Sequence, residues 1–75
     1  MPTLLNLNSF KFFFYANEHD PMHIHVMHSD GFAKIELKDL RVIQNHMKPK
    51  DLKTALKITK EHKKEFERAW NEWFS

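Results

Sequence analysis

At Pro49 the spacing of apolar residues changes period, and that one change divides the chain into a strand-forming part and a helical part. From Phe10 to Tyr15 the chain is apolar on both faces, with Phe10, Phe12 and Phe14 on one of them, as in a central strand. His23 to Met27 or His28 forms a second alternating run. Phe32 to Leu37 forms a third, with Ala33, Ile35 and Leu37 on one face. Ser29-Asp30-Gly31 between these two is a hairpin signal. Asn17 to Pro21 is a turn by composition, Lys38-Asp39 allows a reversal into a weaker fourth strand, Leu40 to Gln44, and the first five residues can add a short edge strand. After Pro49, Leu52, Leu56, Thr59, Phe66, Trp70 and Trp73 recur at three- and four-residue steps. A helix of about 24 residues, roughly 36 Å long, would cross the whole sheet. Lys63 interrupts its apolar stripe, so either the helix bends there or the lysine snorkels. The expected architecture is α+β: one domain over residues 1–75, with an antiparallel meander of three to four strands within 3–46 packed by one long C-terminal helix over about 49–74.

A chain of 75 residues buries only about 60–65% of the surface it exposes when unfolded, so its seven Phe, two Trp and one Tyr must supply much of the core. The sequence has no cysteine, which removes disulfides and thiolate metal sites and suits a reducing compartment. The first residues lack the basic segment and apolar core of a signal peptide, and no apolar run reaches the ~20 residues that span a bilayer. A soluble, cytoplasmic protein without a membrane partner is expected.

Four of the six histidines fall between Glu18 and His28, in the run Glu-His-Asp-Pro-Met-His-Ile-His-Val-Met-His. On a strand, His23 and His25 point to the same face about 7 Å apart, while Ile24, Val26 and His28 take the other. His19 lies across the Asp-Pro turn and can fold back on the pair. Three imidazoles, His19, His23 and His25, or two of them with the carboxylate of Glu18 or Asp20, would make the open three-ligand arrangement of a catalytic divalent metal such as zinc. The same His23 and His25 could instead serve without metal as general base and general acid, and cleavage of RNA through its 2′-hydroxyl is then a natural chemistry. In a third reading they decorate the solvent face of a half-buried strand, with Ile24 and Val26 supplying core.

Charge is unevenly spread. Residues 1–40 carry a balance of −2, residues 41–64 of +6, and the remainder of −2, for a net +2. Lys50, Lys53, Lys57, Lys60 and Lys64 fall on one helix face well separated from the apolar one, and only Glu61 relieves their repulsion. They are candidates for binding RNA or another anion, against the alternative of a solvated face. No aromatic residues are interleaved with them for stacking. At the end of the helix Trp70 suits the core, whereas Trp73 and Phe74 either pack over the Phe-rich strand or mark a protein contact.

Several of these pieces occur together in a known family. Met1-Pro2-Thr3, the Asn17-Glu18-His19 that follows the aromatic strand, Pro21-Met22-His23-Ile24-His25-Val26, Ala33-Lys34-Ile35, and Glu65-Phe66-Glu67-Arg68-Ala69-Trp70 at the helix end are similar to the small prokaryotic proteins of domain of unknown function 4160. The family commonly has a second proline where Met22 stands here, a departure that loosens the turn. The resemblance implies no established activity. It implies a partner encoded by a neighbouring gene, in a two-gene module suggested to be of toxin–antitoxin type, with His19, His23 and His25 as the positions to watch. A weaker likeness is to HicA-type mRNA-cleaving toxins, which also set a histidine on a small sheet, although this chain lacks their N-terminal helix. The expected function is a partner- or nucleic-acid-binding component with a histidine-rich patch, the alternative being a ribonuclease using His23 and His25.

Overall fold

The computed structural model describes residues 3–74. Among them the chain forms strands β1 (Thr3–Leu7), β2 (Phe10–Phe13), β3 (His23–His28), β4 (Gly31–Glu36) and β5 (Val42–His46), then helices α1 (Pro49–Glu61) and α2 (Lys63–Phe74). The strands pair antiparallel in sequence order, β1-β2-β3-β4-β5, so the sheet is a simple meander. The α+β class and the antiparallel meander are those the sequence predicts. Two features differ: there are five strands, not three or four, and the helix is two segments.

The extra strand is β1. Its hairpin with β2 turns on Asn8 and Ser9, both left-handed at φ 51° and 69°. Positive φ at both central residues is the requirement of the tight turn whose twist matches the flanking strands. Asn tolerates that conformation, and Ser9 adopts it without the usual glycine. Strand β2 also ends earlier than expected. The Tyr15 amide donates to the Glu18 carboxylate at 3.2 Å, outside any strand. Strand β5 starts at Val42 because residues 37–41 form the reversal, closed by the Glu36 amide on the Arg41 carbonyl at 2.8 Å, with Leu40 left-handed at φ 59°.

The β3–β4 hairpin forms where expected, over Ser29 and Asp30, but its glycine has another purpose. The φ of Gly31 is not positive, whereas that of Ser29 is 52°. A Cβ at Gly31 would lie 2.9 Å from the carbonyl oxygen of His46 and 3.2 Å from Met47 Cα. The glycine is there so that the chain leaving β5 can cross over it.

The helical stripe breaks at His62, with φ −111° and ψ 15°. Hydrogen bonds from the His62 amide to Ile58 and from the Phe66 amide to His62, each 3.0 Å, carry across the break, which is therefore a bend. Lys63 follows it and donates from Nζ to the Lys38 carbonyl at 2.7 Å. A lysine on the apolar stripe thus reaches out to a turn carbonyl, and the helix bends beside it.

The core lies between the helices and one sheet face. Phe12, Phe14, Ile24, Val26, Ala33, Ile35 and Leu37 meet Ala55, Ile58, Phe66 and Trp70 there. Phe66 lies 5.5 Å from Phe12, and Trp70 meets Phe14 edge-on at 5.4 Å. Each fully buried Phe contributes about 1.5–3 kcal/mol over exposure. Thr59, the polar residue beneath α1, is satisfied by donating to the Ala55 carbonyl at 2.7 Å. Of the two terminal aromatics, Phe74 packs on Phe14 and Trp70, whereas Trp73 is 59% exposed. Among the described residues no helix is long and apolar enough to cross a membrane. The alternate residues of β3 and β4 (His25, Met27, Phe32 and Lys34) stand on the face away from the helices.

Candidate metal centre

The alternation of β3 sends Ile24 and Val26 into the core and His25 to the other face, while His23, at the strand's start, is buried against Trp70 of α2; the two rings meet edge to face at 5.1 Å. The two rings differ in access. His23, at the start of the strand, is 3% exposed and covered by Trp70 at 5.0 Å. His25, two residues on, is partly open and packs between Phe13 at 5.5 Å and Tyr15 at 4.6 Å.

Both imidazoles converge on Glu18. Its Oε2 lies 2.7 Å from His25 Nε2, and its Oε1 lies 3.1 Å from His23 Nε2. The loop that carries Glu18 is tied down by the Tyr15 amide on Oε2. One donor atom from each of Glu18, His23 and His25 lies within 4.8 Å of the others. The edge of a tetrahedral zinc site, from zinc–nitrogen and zinc–oxygen bonds of 2.0–2.2 Å, is roughly 3.3 Å. Small side-chain rotations therefore bring all three to coordinating distance.

The protonation pattern of His23 bears on what the centre can hold. Its Nδ1 is 2.7 Å from the Pro21 carbonyl, which can only accept, so Nδ1 carries the proton. In the neutral ring Nε2 is then a lone pair. It is buried 3.1 Å from Glu18 Oε1, so the two are satisfied either by a second proton on the ring or by a cation between them. A lone pair beside a carboxylate oxygen is an arrangement that a shared cation stabilises. A backbone carbonyl fixing the tautomer of a histidine from behind is likewise how metal-bound imidazoles are commonly oriented.

The electrostatics favour ligand-competent forms. Burial by itself would raise the Glu18 carboxyl, but the Tyr15 amide and the proximity of His23 and His25 outweigh it, holding Glu18 below the usual carboxylate range. Burial is also the main influence on His25. It outweighs the attraction of Glu18 and, with His23 and Lys34 adding to it, pushes the ring below the ordinary histidine value. A charged carboxylate and a neutral imidazole are the forms that bind metal, and the proton that His25 Nε2 donates to Glu18 Oε2 at 2.7 Å would leave Nε2 as the metal enters.

His19 does not join the three-residue cluster. It is exposed and lines a cleft of about 350 Å³ with Asn17, Asp20, Lys34 and Arg41, into which Glu18 and His23 also face. Glu18 supplies the third donor that the sequence could equally have drawn from His19 or Asp20. His28 is separate, stacked on Phe10 at 3.9 Å. The profile of a domain of unknown function, DUF4160, matches residues 9–71. The chain belongs to the DUF4160 family. That match takes in all three donors and the whole of the sheet beyond β1. No curated protein and no solved structure matches this DUF4160 chain.

The lysines are on the outside of the helix layer. Lys50, Lys53, Lys57, Lys60 and Lys64 are exposed, while Ala55, Ile58 and Thr59 of α1 face the sheet. Lys53, Lys57 and Lys60 border a shallow groove of about 550 Å³ floored by Leu40 and Leu56. The helices thus separate the lysine stripe from the sheet face onto which His25 opens. Sequence reasoning passed over the neighbours of His25 on that face, Tyr15, Phe32 and Lys34. Their signal was the strand register, which sets Lys34 directly opposite His25.

Proposed function

We propose that Glu18, His23 and His25 bind a divalent metal, zinc being the best match to two imidazoles and a carboxylate, and that this centre is the functional patch of a small binding protein. The observation that carries the reading is the buried Nε2 of His23, 3.1 Å from Glu18 Oε1 while Pro21 holds the ring's proton at Nδ1. Three protein ligands leave a fourth position for water or a ligand, the arrangement of zinc sites that act on what they bind.

The family resemblance adds the setting: a two-gene, toxin–antitoxin-like module in which this chain meets a protein or nucleic-acid partner. The ribonuclease alternative is better supported with a metal than without one. A metal-free acid–base pair needs both imidazoles to reach the substrate, and the ring of His23 is covered by Trp70. The lysine groove on the helix layer is the counterpart surface for an anionic partner.

Equilibrium dialysis against zinc, followed by metal analysis of untagged protein, tests the centre. One equivalent is expected in the wild type and none in His23→Ala/His25→Ala. Equal zinc in both proteins would remove the site. Growth and RNA integrity in cells expressing the two proteins then separate an enzyme from a binding module, since only a ribonuclease loses an RNA-degrading effect with the double substitution.

A further inference from the structure

We infer that the sheet face around His25 binds a nucleotide of a single-stranded nucleic acid, its base on the aromatic side of the metal centre and its phosphate on the Lys34 side. This rests on the metal reading for the position of the centre, but the residues that would grip the nucleotide are not metal ligands. Two cavities flank the cluster. One, of about 160 Å³, is lined by Phe13, Tyr15, Met27 and Phe32, with His25 forming part of its wall. The other, of about 350 Å³, is lined by Lys34 and Arg41 and has Glu18 and His23 in its wall. A molecule occupying both must pass the metal centre.

The first cavity calls for a flat, apolar group. Tyr15, Met27 and Phe32 are 51%, 45% and 43% exposed, a large share of apolar area to leave in water on so small a protein. Phe32 already stacks on His46 at 4.5 Å, and its surroundings have room for one more ring. The second cavity sets Lys34 and Arg41 against Glu18 and Asp20, so it takes an anion once a bound cation offsets Glu18. Lys34 has no carboxylate within ion-pairing distance among the described residues, and the neighbouring Glu36 is engaged by Arg41 at 3.2 Å. Lys11, across the sheet from Met27, adds a cation beside the aromatic group. A flat ring joined to an anionic group, beside a bound divalent cation, is the chemistry of a nucleotide. Exposed sheet aromatics flanked by lysines are a common platform for unpaired bases. A duplex hides its base faces, so the strand must be single.

Fluorescence anisotropy of end-labelled eight-nucleotide RNA and DNA, titrated with the full chain at one equivalent of zinc, tests this. Phe32→Ala and Lys34→Ala should each weaken binding by about tenfold or more, while Trp73→Ala, an exposed aromatic on α2, stays within twofold of wild type. Preference for the RNA would point to the 2′-hydroxyl as a contact, and equal affinity to base and phosphate alone; either supports the site. No binding by the wild type, unchanged affinity in both Phe32→Ala and Lys34→Ala, or loss only in Lys57→Ala/Lys60→Ala would overturn it. So would light scattering that shows a dimer which Phe32→Ala dissociates. Zinc content measured on the same samples keeps the two ideas apart. Zinc bound without oligonucleotide sinks the nucleotide site alone, and oligonucleotide bound without zinc sinks the metal centre alone.

Discussion

His23 donates from Nδ1 to the Pro21 carbonyl at 2.7 Å, and this single bond decides which face of the ring is available for chemistry. It fixes the tautomer and turns Nε2 toward Glu18, with Trp70 covering the ring. The remaining features of the centre follow from that constraint: a carboxylate shared between two imidazoles, one buried and one open.

Acid should destabilise the metal-free protein in two stages. His25 is held below its unfolded value of 6.5, so the unfolded chain binds more protons once the pH drops past that value, and stability falls. Glu18 is held below 4.5, so a further loss begins as the pH falls beneath that value. Urea midpoints measured with chelator should therefore decline between about pH 7.5 and 5.5, and His25→Asn should flatten that part of the profile.

Gly31→Ala should cost about 1–3 kcal/mol, because the added methyl meets the His46 carbonyl at 2.9 Å, a backbone atom that cannot swing away. Denaturant unfolding checks the magnitude. A cost under about 0.5 kcal/mol would mean that the chain after β5 yields readily.

Phe66→Ala removes a ring that is buried between Phe12 and the bend in the helix, and should cost about 3–5 kcal/mol. A chain of this length has about 4–11 kcal/mol to lose, so the variant should be visibly less folded by circular dichroism at room temperature. Trp73→Ala, at the exposed end of α2, should stay within about 0.5 kcal/mol of wild type.

The parts legible in the sequence were those set by local pattern. The alternation of β3 separated Ile24 and Val26 from His25, and the three- and four-residue spacing marked Phe66 and Trp70 as core, but the burial of His23 against Trp70 was not legible in that alternation. What escaped depended on contacts between distant residues or on conformations that composition does not advertise. A short edge strand was expected from the first five residues, but Asn8-Ser9 makes its hairpin without glycine, so the extent of β1 to Leu7 had no clear turn signal. Glu18, His19 and Asp20 were equivalent candidates until the loop closed. The Tyr15 amide chose Glu18, whereas His19 was left in solvent. The face shared by His25, Tyr15, Phe32 and Lys34 required the register of two hairpins, and one residue of slip would have turned Lys34 away from His25.

Zinc titration followed by long-range proton–nitrogen NMR of the imidazole rings tests the central claim most directly, because it reads each ring nitrogen separately. With one equivalent of zinc, the Nε2 signals of His23 and His25 should move together, while His23 Nδ1 keeps its proton and His19, His28, His46 and His62 stay where they were. Zinc-dependent shifts at His19 or His46 in place of this pair, or no shift at His23 Nε2, would contradict the account.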